Sequence, residues 1–184
     1  VVGRVLLVAG FLFQLTGLVI RALAADFMPV TNMYESLNFF SCAIVLAYMI
    51  LEYKTKSRTF GVFILPVVFL LMAFSSQPTM AKDIKPLIPA LQSQWLVWHV
   101  IFSFIGEAGF AVAFGASIMY LLRKRAAEGS FIRRTFPPLE TLDMVSYRAI
   151  AVGFPIFTLG ALIFGAIWAK YAWGTYWGWD PKET

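Results

Sequence analysis

The chain has 184 residues, of which 60% are hydrophobic and 14% are charged, and its formal net charge is +5 at pH 7. A soluble domain is about half apolar and about a quarter charged, so this composition argues against a soluble protein and indicates an integral membrane protein. The sequence holds one cysteine, Cys42, which excludes a disulfide framework and a cysteine-based metal site.

The positive charge does not indicate a nucleic-acid partner. Basic residues cluster in short runs between the hydrophobic stretches, where such residues set the orientation of a protein in its membrane. The sequence also lacks a nucleophile–base pair and a phosphate-binding loop, so we expect no catalytic side chain from it.

Five hydrophobic stretches approach the length of about 20 residues that a membrane-crossing helix needs. They are residues 2–25, 34–53, 60–75, 95–122 and 148–171. They predict an all-α integral membrane protein with a single polytopic domain over residues 1–184. Asn32 and Glu35 predict a capping box at the start of the second span. Pro66 and Pro155 predict kinks in the third and fifth spans.

Loop charges predict the orientation of these spans. The basic loops follow the second and fourth spans, and they carry Lys54, Lys56, Arg58, Arg123, Lys124, Arg125, Arg133 and Arg134. The positive-inside rule places these loops in the cytoplasm, together with the N-terminus, and places the loops after the first, third and fifth spans outside.

The longest polar connection is predicted to be a cytoplasmic segment at residues 126–147. Within it, Leu139, Leu142 and Val145 follow a pair of prolines at helical spacing. This pattern predicts a short amphipathic helix that lies on the membrane surface.

Residues 172–184, here called the aromatic segment, contain three of the six tryptophans of the chain. Indole rings offer flat apolar faces, and glycines permit a close backbone approach, so the segment suits a flat aromatic ligand. The alternative is an interfacial belt of aromatic residues at the lipid headgroups. The candidate binding residues in this segment are Trp173, Gly174, Tyr176, Trp177, Gly178, Trp179 and Asp180.

The last residues of the aromatic segment predict a further helix. Asp180 has the properties of an N-cap, Pro181 suits the first helical position, and Glu183 can reach back to the cap. We therefore expect a sixth helix to begin here and the sequence to be part of a longer chain.

His99 is the single histidine, and it lies one turn into the fourth span, at the same predicted outer face as the aromatic segment. Trp95, Trp98 and Phe102 share its side of the helix by spacing. A neutral imidazole in this position is a candidate axial ligand for haem iron. The alternative is an interfacial histidine that forms a hydrogen bond with a loop.

Glu107 lies near the middle of the fourth span. A carboxyl group at that depth is costly, so we expect it to face the helix bundle or a polar cavity. Two roles remain open for it: lining a path for a ligand or proton, or packing against the hydroxyl or carbonyl group of a neighbour.

The final stretch, WGTYWGWDPKET, resembles the tryptophan-rich WWD signature of haem-handling proteins in cytochrome c biogenesis. Within them, the sequence is most similar to the CcsA/ResC family, the membrane subunit of the System II cytochrome c synthetase. Residues 32–37, 98–100, 138–143 and 147–148 also resemble family segments. The similarity extends from about residue 32 to the end.

The resemblance implies that the protein holds haem b transiently at the outer face of the bacterial cytoplasmic membrane. The aromatic segment would hold the porphyrin, with Trp95 and Trp98 nearby, and His99 would be the first of two external iron ligands. The second histidine is expected beyond Thr184. Haem lyase activity would then belong to the complete complex.

The resemblance also implies a set of partners. They are a CcsB/ResB-type membrane protein, separate or fused, an apocytochrome c that offers its Cys-x-x-Cys-His motif, thiol-reducing proteins and membrane lipid.

Two other functions stay open from the residues alone. The first is a quinol-linked or haem b electron-transfer subunit of a respiratory complex, which normally needs paired histidines within its spans. The second is a membrane scaffold or transporter that binds no haem and whose aromatic segment is only an interfacial belt.

Overall fold

The computed structural model describes residues 2–179, and these residues form helices joined by loops, with no strand among them. The seven α-helices of this part of the chain are α1 Val2–Ala25, α2 Met33–Thr55, α3 Gly61–Ser75, α4 Gln94–Arg125, α5 Phe131–Thr135, α6 Leu139–Phe157 and α7 Gly165–Trp173. A 3₁₀ turn spans Pro89–Leu91, and a π-helical turn, Thr158–Phe164, joins α6 to α7.

Four helical stretches are long and apolar enough to cross a membrane: Val2–Ala25, Met33–Thr55, Gln94–Arg125 and Leu139–Trp173. The third predicted span is the 15-residue helix α3. At about 1.5 Å per residue it is clearly shorter than a hydrocarbon core of about 30 Å. The chain is thus a membrane protein, and four of the five predicted spans reach the required length.

The prediction of a separate amphipathic helix on the membrane surface is wrong. Leu139 begins α6, which continues without a break through the π turn into α7. Leu142 and Val145 are buried against α2, α3 and α4 instead of lying on a membrane surface. Their helical spacing was therefore a property of the first turns of the last long helix.

Two ion pairs hold α1 antiparallel to α2, one near each end. Arg4 donates to Glu52 at 2.8 Å, and Arg21 donates to Glu35 at 2.8 Å. Glu35 is almost fully buried, and its second carboxylate oxygen accepts hydrogen bonds from the backbone N–H and the hydroxyl of Thr31.

The predicted capping box is half correct. Asn32 is the N-cap of α2, and its side-chain oxygen accepts from the Glu35 N–H at 2.9 Å. The Glu35 carboxylate, however, bonds Thr31 and Arg21 instead of reaching back to the Asn32 N–H, because the ion pair with α1 draws it away from the cap.

Glycines let α4 and α6 approach closely along most of their length. A Cβ atom at Gly106 would lie 2.6 Å from the backbone nitrogen of Phe157, and one at Gly153 would lie 2.8 Å from the Gly106 carbonyl oxygen. The two helices run antiparallel, so the start of α4 lies beside the π turn and α7. This packing sets the position of His99.

Pro155 lies inside α6, three residues before the π turn, and Pro66 lies inside α3. Proline removes one backbone donor, so the hydrogen-bond ladder is already interrupted where the last long helix departs from α geometry. The structure thus shows a change of helix type after Pro155, and the kinks expected at Pro66 and Pro155 stay predictions.

Candidate functional site

His99 lies in the second turn of α4, where the Ser93 hydroxyl accepts from the Trp95 N–H and caps the helix start. The ring is partly buried, and its Nδ1 lies 2.9 Å from the carbonyl oxygen of Gly160 in the π turn. A carbonyl oxygen only accepts, so Nδ1 carries the proton in the neutral ring. The Nε2 lone pair is then available to a ligand.

Trp168 of α7 connects His99 to the aromatic segment. The two rings are parallel, with an angle of 3° between their planes and 6.0 Å between their centroids. Trp168 also meets Trp173 edge to face at 6.2 Å, and its indole N–H donates to the Ala90 carbonyl at 2.9 Å. Sequence reasoning missed Trp168, although its place five residues before Trp173 on the same helix was a usable signal.

Trp95 and Trp98 form the other side of this end of the bundle. Trp95 packs against Phe164 at 5.9 Å, and Phe102 meets the same ring edge to face at 5.2 Å. Trp98 contacts Phe102 and is about half exposed. Trp95, His99 and Phe102 of the predicted shared face therefore lie against the π turn and α7, whereas the ring of Trp98 contacts Phe102 of its own helix.

The aromatic segment is described up to Trp179. Gly174 ends α7 in a left-handed conformation with φ of 81°, which glycine adopts without steric cost. Lys170 donates to the Gly174 carbonyl at 2.7 Å and lies over the Tyr176 ring at 5.6 Å. These contacts turn the chain back toward α7 instead of letting it extend away.

The tryptophans of the segment present open ring surface. Trp173, Tyr176, Trp177 and Trp179 are all exposed, and Trp177 and Trp179 meet edge to face at 5.7 Å. Gly178 lies between the last two tryptophans and is itself engaged by a neighbour. Asp180 and the predicted start of a sixth helix lie outside the described residues.

The structure thus brings His99, Trp168 and Trp173 into one aromatic stack, with Trp95 and Trp98 on the adjacent side. No group of three His, Cys, Asp or Glu side chains that could hold a bare metal ion occurs in residues 2–179. A haem would need fewer protein ligands than a bare ion, because its porphyrin would supply the others, and His99 would be the residue to hold it.

Two cavities formed by residues 2–179 lie beside this stack or far from it. A cavity of about 400 Å³ is bordered by Trp95, Tyr171 and the 3₁₀ turn. An apolar cavity of about 530 Å³ between α2, α4 and α6 opens near Lys54 and Arg148, toward the opposite end of the bundle. The described rings of the aromatic segment are exposed, which suits a large flat ligand that must remain accessible.

Glu107 is partly buried in α4, and its carboxylate has no hydrogen-bond partner among the described residues. The predicted alternative of a bond to a neighbouring hydroxyl or carbonyl group is thus not found in residues 2–179. Glu107 lies two turns from His99 on the same helix and takes no part in the aromatic stack.

Comparison with known proteins gives a consistent result. Residues 30–184 match the family described as "Cytochrome C assembly protein". A protein from Heterosigma akashiwo named "Cytochrome c biogenesis protein CcsA" is 36% identical over 195 residues, which cover 86% of this chain and 60% of that protein.

Two further relatives carry the same name. The protein from Guillardia theta is 36% identical over 89% of this chain and 61% of its own length. The protein from Microcystis aeruginosa is 33% identical over 89% of this chain and 65% of its own length. The chain spans 60–65% of the length of these three relatives.

The match begins at residue 30, just before the first segment in which the sequence resembled the CcsA/ResC family, and it runs through the aromatic segment. That resemblance is therefore confirmed, and the chain belongs to the cytochrome c assembly protein family.

Proposed function

We propose that this chain binds haem at the end of the bundle that carries His99 and the aromatic segment, and presents it for covalent attachment to an apocytochrome c. The observation that supports this most strongly is the continuous stack from His99 through Trp168 to Trp173. It joins a candidate iron ligand to the flat apolar surface that a porphyrin needs.

The residues present fit haem. His99 has its Nδ1 engaged, which leaves Nε2 for the iron. Exposed indole faces at Trp173, Trp177 and Trp179 can cover the porphyrin by stacking. Stacking alone does not fix how the porphyrin is turned within its plane. Ligation by His99 then fixes the orientation. Haem, when bound, supplies the iron and the vinyl groups to which the two cysteine thiols of an apocytochrome add as thioethers.

In this proposal the chain holds and orients, and the apocytochrome brings the reacting thiols. Positioning alone can contribute several kcal/mol, about 7–11 in well-oriented systems, by making a bimolecular step effectively unimolecular. The open face beside the aromatic segment leaves room for the incoming Cys-x-x-Cys-His motif. No side chain of residues 2–179 is required as a nucleophile.

The proposal includes an orientation and a set of partners. The N-terminus and the connection between α4 and α6, residues 126–138, lie on the cytoplasmic side of a bacterial membrane, and the aromatic segment lies on the outer side, as the loop charges favour. Partners are a CcsB/ResB-type membrane protein, apocytochrome c and the proteins that keep its thiols reduced. The name of the relatives, cytochrome c biogenesis protein CcsA, supports the proposed role in cytochrome c maturation.

Maturation of a reporter cytochrome c in cells tests the function. The full-length protein with His99→Ala, or with Trp177→Leu and Trp179→Leu together, should give a strongly reduced yield of covalent haem in the reporter. The control is Tyr147→Ala, which removes a similarly exposed aromatic ring outside the aromatic stack. Unchanged yields from both site variants, at equal protein levels, would contradict the proposal.

The electron-transfer alternative is less well supported. A haem b held between spanning helices normally has two histidine ligands, and this sequence has one histidine. Rapid reduction of the bound haem by a quinol in the purified protein would favour this alternative over haem delivery.

A further inference from the structure

The π-helical turn Thr158–Phe164 lies directly opposite His99. In this turn the Gly165 N–H donates to the Gly160 carbonyl, five residues back instead of four. The same carbonyl oxygen has a second lone pair, and it accepts from His99 Nδ1 at 2.9 Å. π turns within α-helices are rare and occur frequently at functional sites.

Two further contacts fix the plane of the His99 ring. Trp168 lies parallel to one face, and its own indole is held by the Ala90 carbonyl. Gly165 leaves room for the ring edge, since a Cβ atom there would lie 3.0 Å from His99 Nδ1 and 3.2 Å from Cε1. The ring is therefore held by a hydrogen bond, a parallel indole and a glycine that accommodates it.

The π turn also sets which side of α7 faces α4. The π turn contains one residue more than an α-helix of the same length along its axis. One residue corresponds to about 100° of rotation in an α-helix, so the extra residue rotates α7 by about this angle. Without the extra residue, Trp168 would point away from His99. The irregular turn thus supplies both the carbonyl that bonds the ring and the indole that stacks on it.

We propose that the π turn is a positioning device for the iron ligand: the Gly160 carbonyl holds His99 as the Nδ1–H tautomer, and Gly165 and Trp168 hold its plane, so that Nε2 is the ligating atom. The inference rests on the proposed haem binding and adds the residues that orient the ligand. A hydrogen bond from the distal nitrogen of a ligating histidine raises its basicity, and such bonds are worth about 10–100-fold in metal affinity.

The first test replaces the side chain of His99 by a small molecule that can ligate iron in its place. In the full-length protein with His99→Gly, imidazole and 1-methylimidazole are titrated separately, and recovery of the haem absorption band is followed. Both molecules can ligate iron, but bound 1-methylimidazole has no N–H to donate to the Gly160 carbonyl. We expect imidazole to restore the band at a concentration about tenfold lower. Equal concentrations would overturn the proposal.

The second test keeps His99 and displaces its ring. Gly165→Ala places a methyl group against Nδ1 and weakens the bond to the Gly160 carbonyl, so the midpoint potential of the bound haem should rise and haem should bind about tenfold more weakly. Gly115→Ala is the matched control, because its Cβ atom would lie 2.8 Å from Ile64, away from His99. An unchanged potential for Gly165→Ala would overturn the proposal.

The two tests separate this inference from the function on which it rests. If the wild-type protein shows no haem band, or His99→Ala leaves the band unchanged, the proposed haem site itself is wrong. If the band depends on His99 but neither the ligand preference nor the potential changes, only the positioning role is wrong. If neither free ligand restores the band in His99→Gly, the potential of Gly165→Ala decides.

Discussion

Removing a single side chain from this protein can cost little or much of its free energy of unfolding. The two ion pairs between α1 and α2 illustrate the reason. Glu35 and its partner Arg21 are both largely buried, with side-chain exposures of 1% and 16%. Arg4, by contrast, is 56% exposed where it pairs with Glu52. Glu52 is buried too, but Arg58 lies 3.6 Å from the same carboxylate oxygen and would remain after the loss of Arg4. A buried carboxylate that loses its cation is left uncompensated, whereas the loss of an exposed cation from a carboxylate that keeps a second one costs little.

Arg21→Ala should therefore destabilise the protein by about 3 kcal/mol or more, because Glu35 would remain buried without its cation. Arg4→Ala, the matched control, should cost about 1 kcal/mol or less. Unfolding of the purified variants in detergent, induced by heat or by denaturant, measures both losses of stability. Equal losses for the two variants would show that burial of the Arg21–Glu35 pair does not govern the stability of this end of the bundle.

At the level of helices, much of the fold follows from the sequence. Four spans appear because long apolar stretches give a strong signal, and the N-cap of α2 follows from the hydrogen-bonding chemistry of Asn32. The π turn was not predicted: Pro155 indicated a kink and not a change of helix type. The reason is that helix type depends on how α6 and α7 pack against α4, and this packing is not a local property of the sequence.

The same limit applies to the candidate site. His99, Trp95 and the tryptophans of the aromatic segment could be proposed from residue type and spacing. Trp168 was missed: its place near Trp173 was a signal, but its contact with His99 depends on the rotation that the π turn gives to α7. The bounds predicted for the third span, residues 60–75, agree with α3 within one residue. The early start of α6 was missed because apolar spacing marks the face of a helix better than its ends.

The close crossing of α4 and α6 gives a prediction for these helices. Gly106→Ala should cost about 1–3 kcal/mol of stability, because the added Cβ atom would meet backbone atoms of Phe157, which cannot move aside as a flexible side chain can. Gly10→Ala on α1, where no atom lies within 4 Å, should be neutral or slightly stabilising. Thermal unfolding of both variants in detergent checks this. A neutral Gly106→Ala would contradict the close-packed crossing.

At the scale of the whole molecule, the antiparallel helices place His99, Trp168 and the start of α2 at one end of the bundle, and the basic loops at the other. A cavity lined by Thr31 of the α1–α2 connection and by Ser93 and Val97 near the start of α4 joins these elements at the first end. If the positive-inside rule applies, the end with His99 faces outward.

Labelling of an introduced cysteine tests this orientation. Gln77→Cys and Glu128→Cys place reporter thiols at exposed positions at opposite ends of the bundle, and the native Cys42 is buried and should give a low background. The cells are treated so that the reagent passes the outer envelope while the cytoplasmic membrane stays intact. A membrane-impermeant thiol reagent should then label Gln77→Cys and not Glu128→Cys. The reverse pattern would show that the aromatic segment faces the cytoplasm.

The central claim is that His99 and the aromatic segment form one haem site, and a haem titration of the purified full-length protein tests it most directly. Binding followed by the haem absorption band should weaken by about tenfold or more for His99→Ala, and also for Trp173→Leu, while Tyr147→Ala binds as the wild type does. If all three variants bind haem with the wild-type dissociation constant, the site lies elsewhere and the account is contradicted.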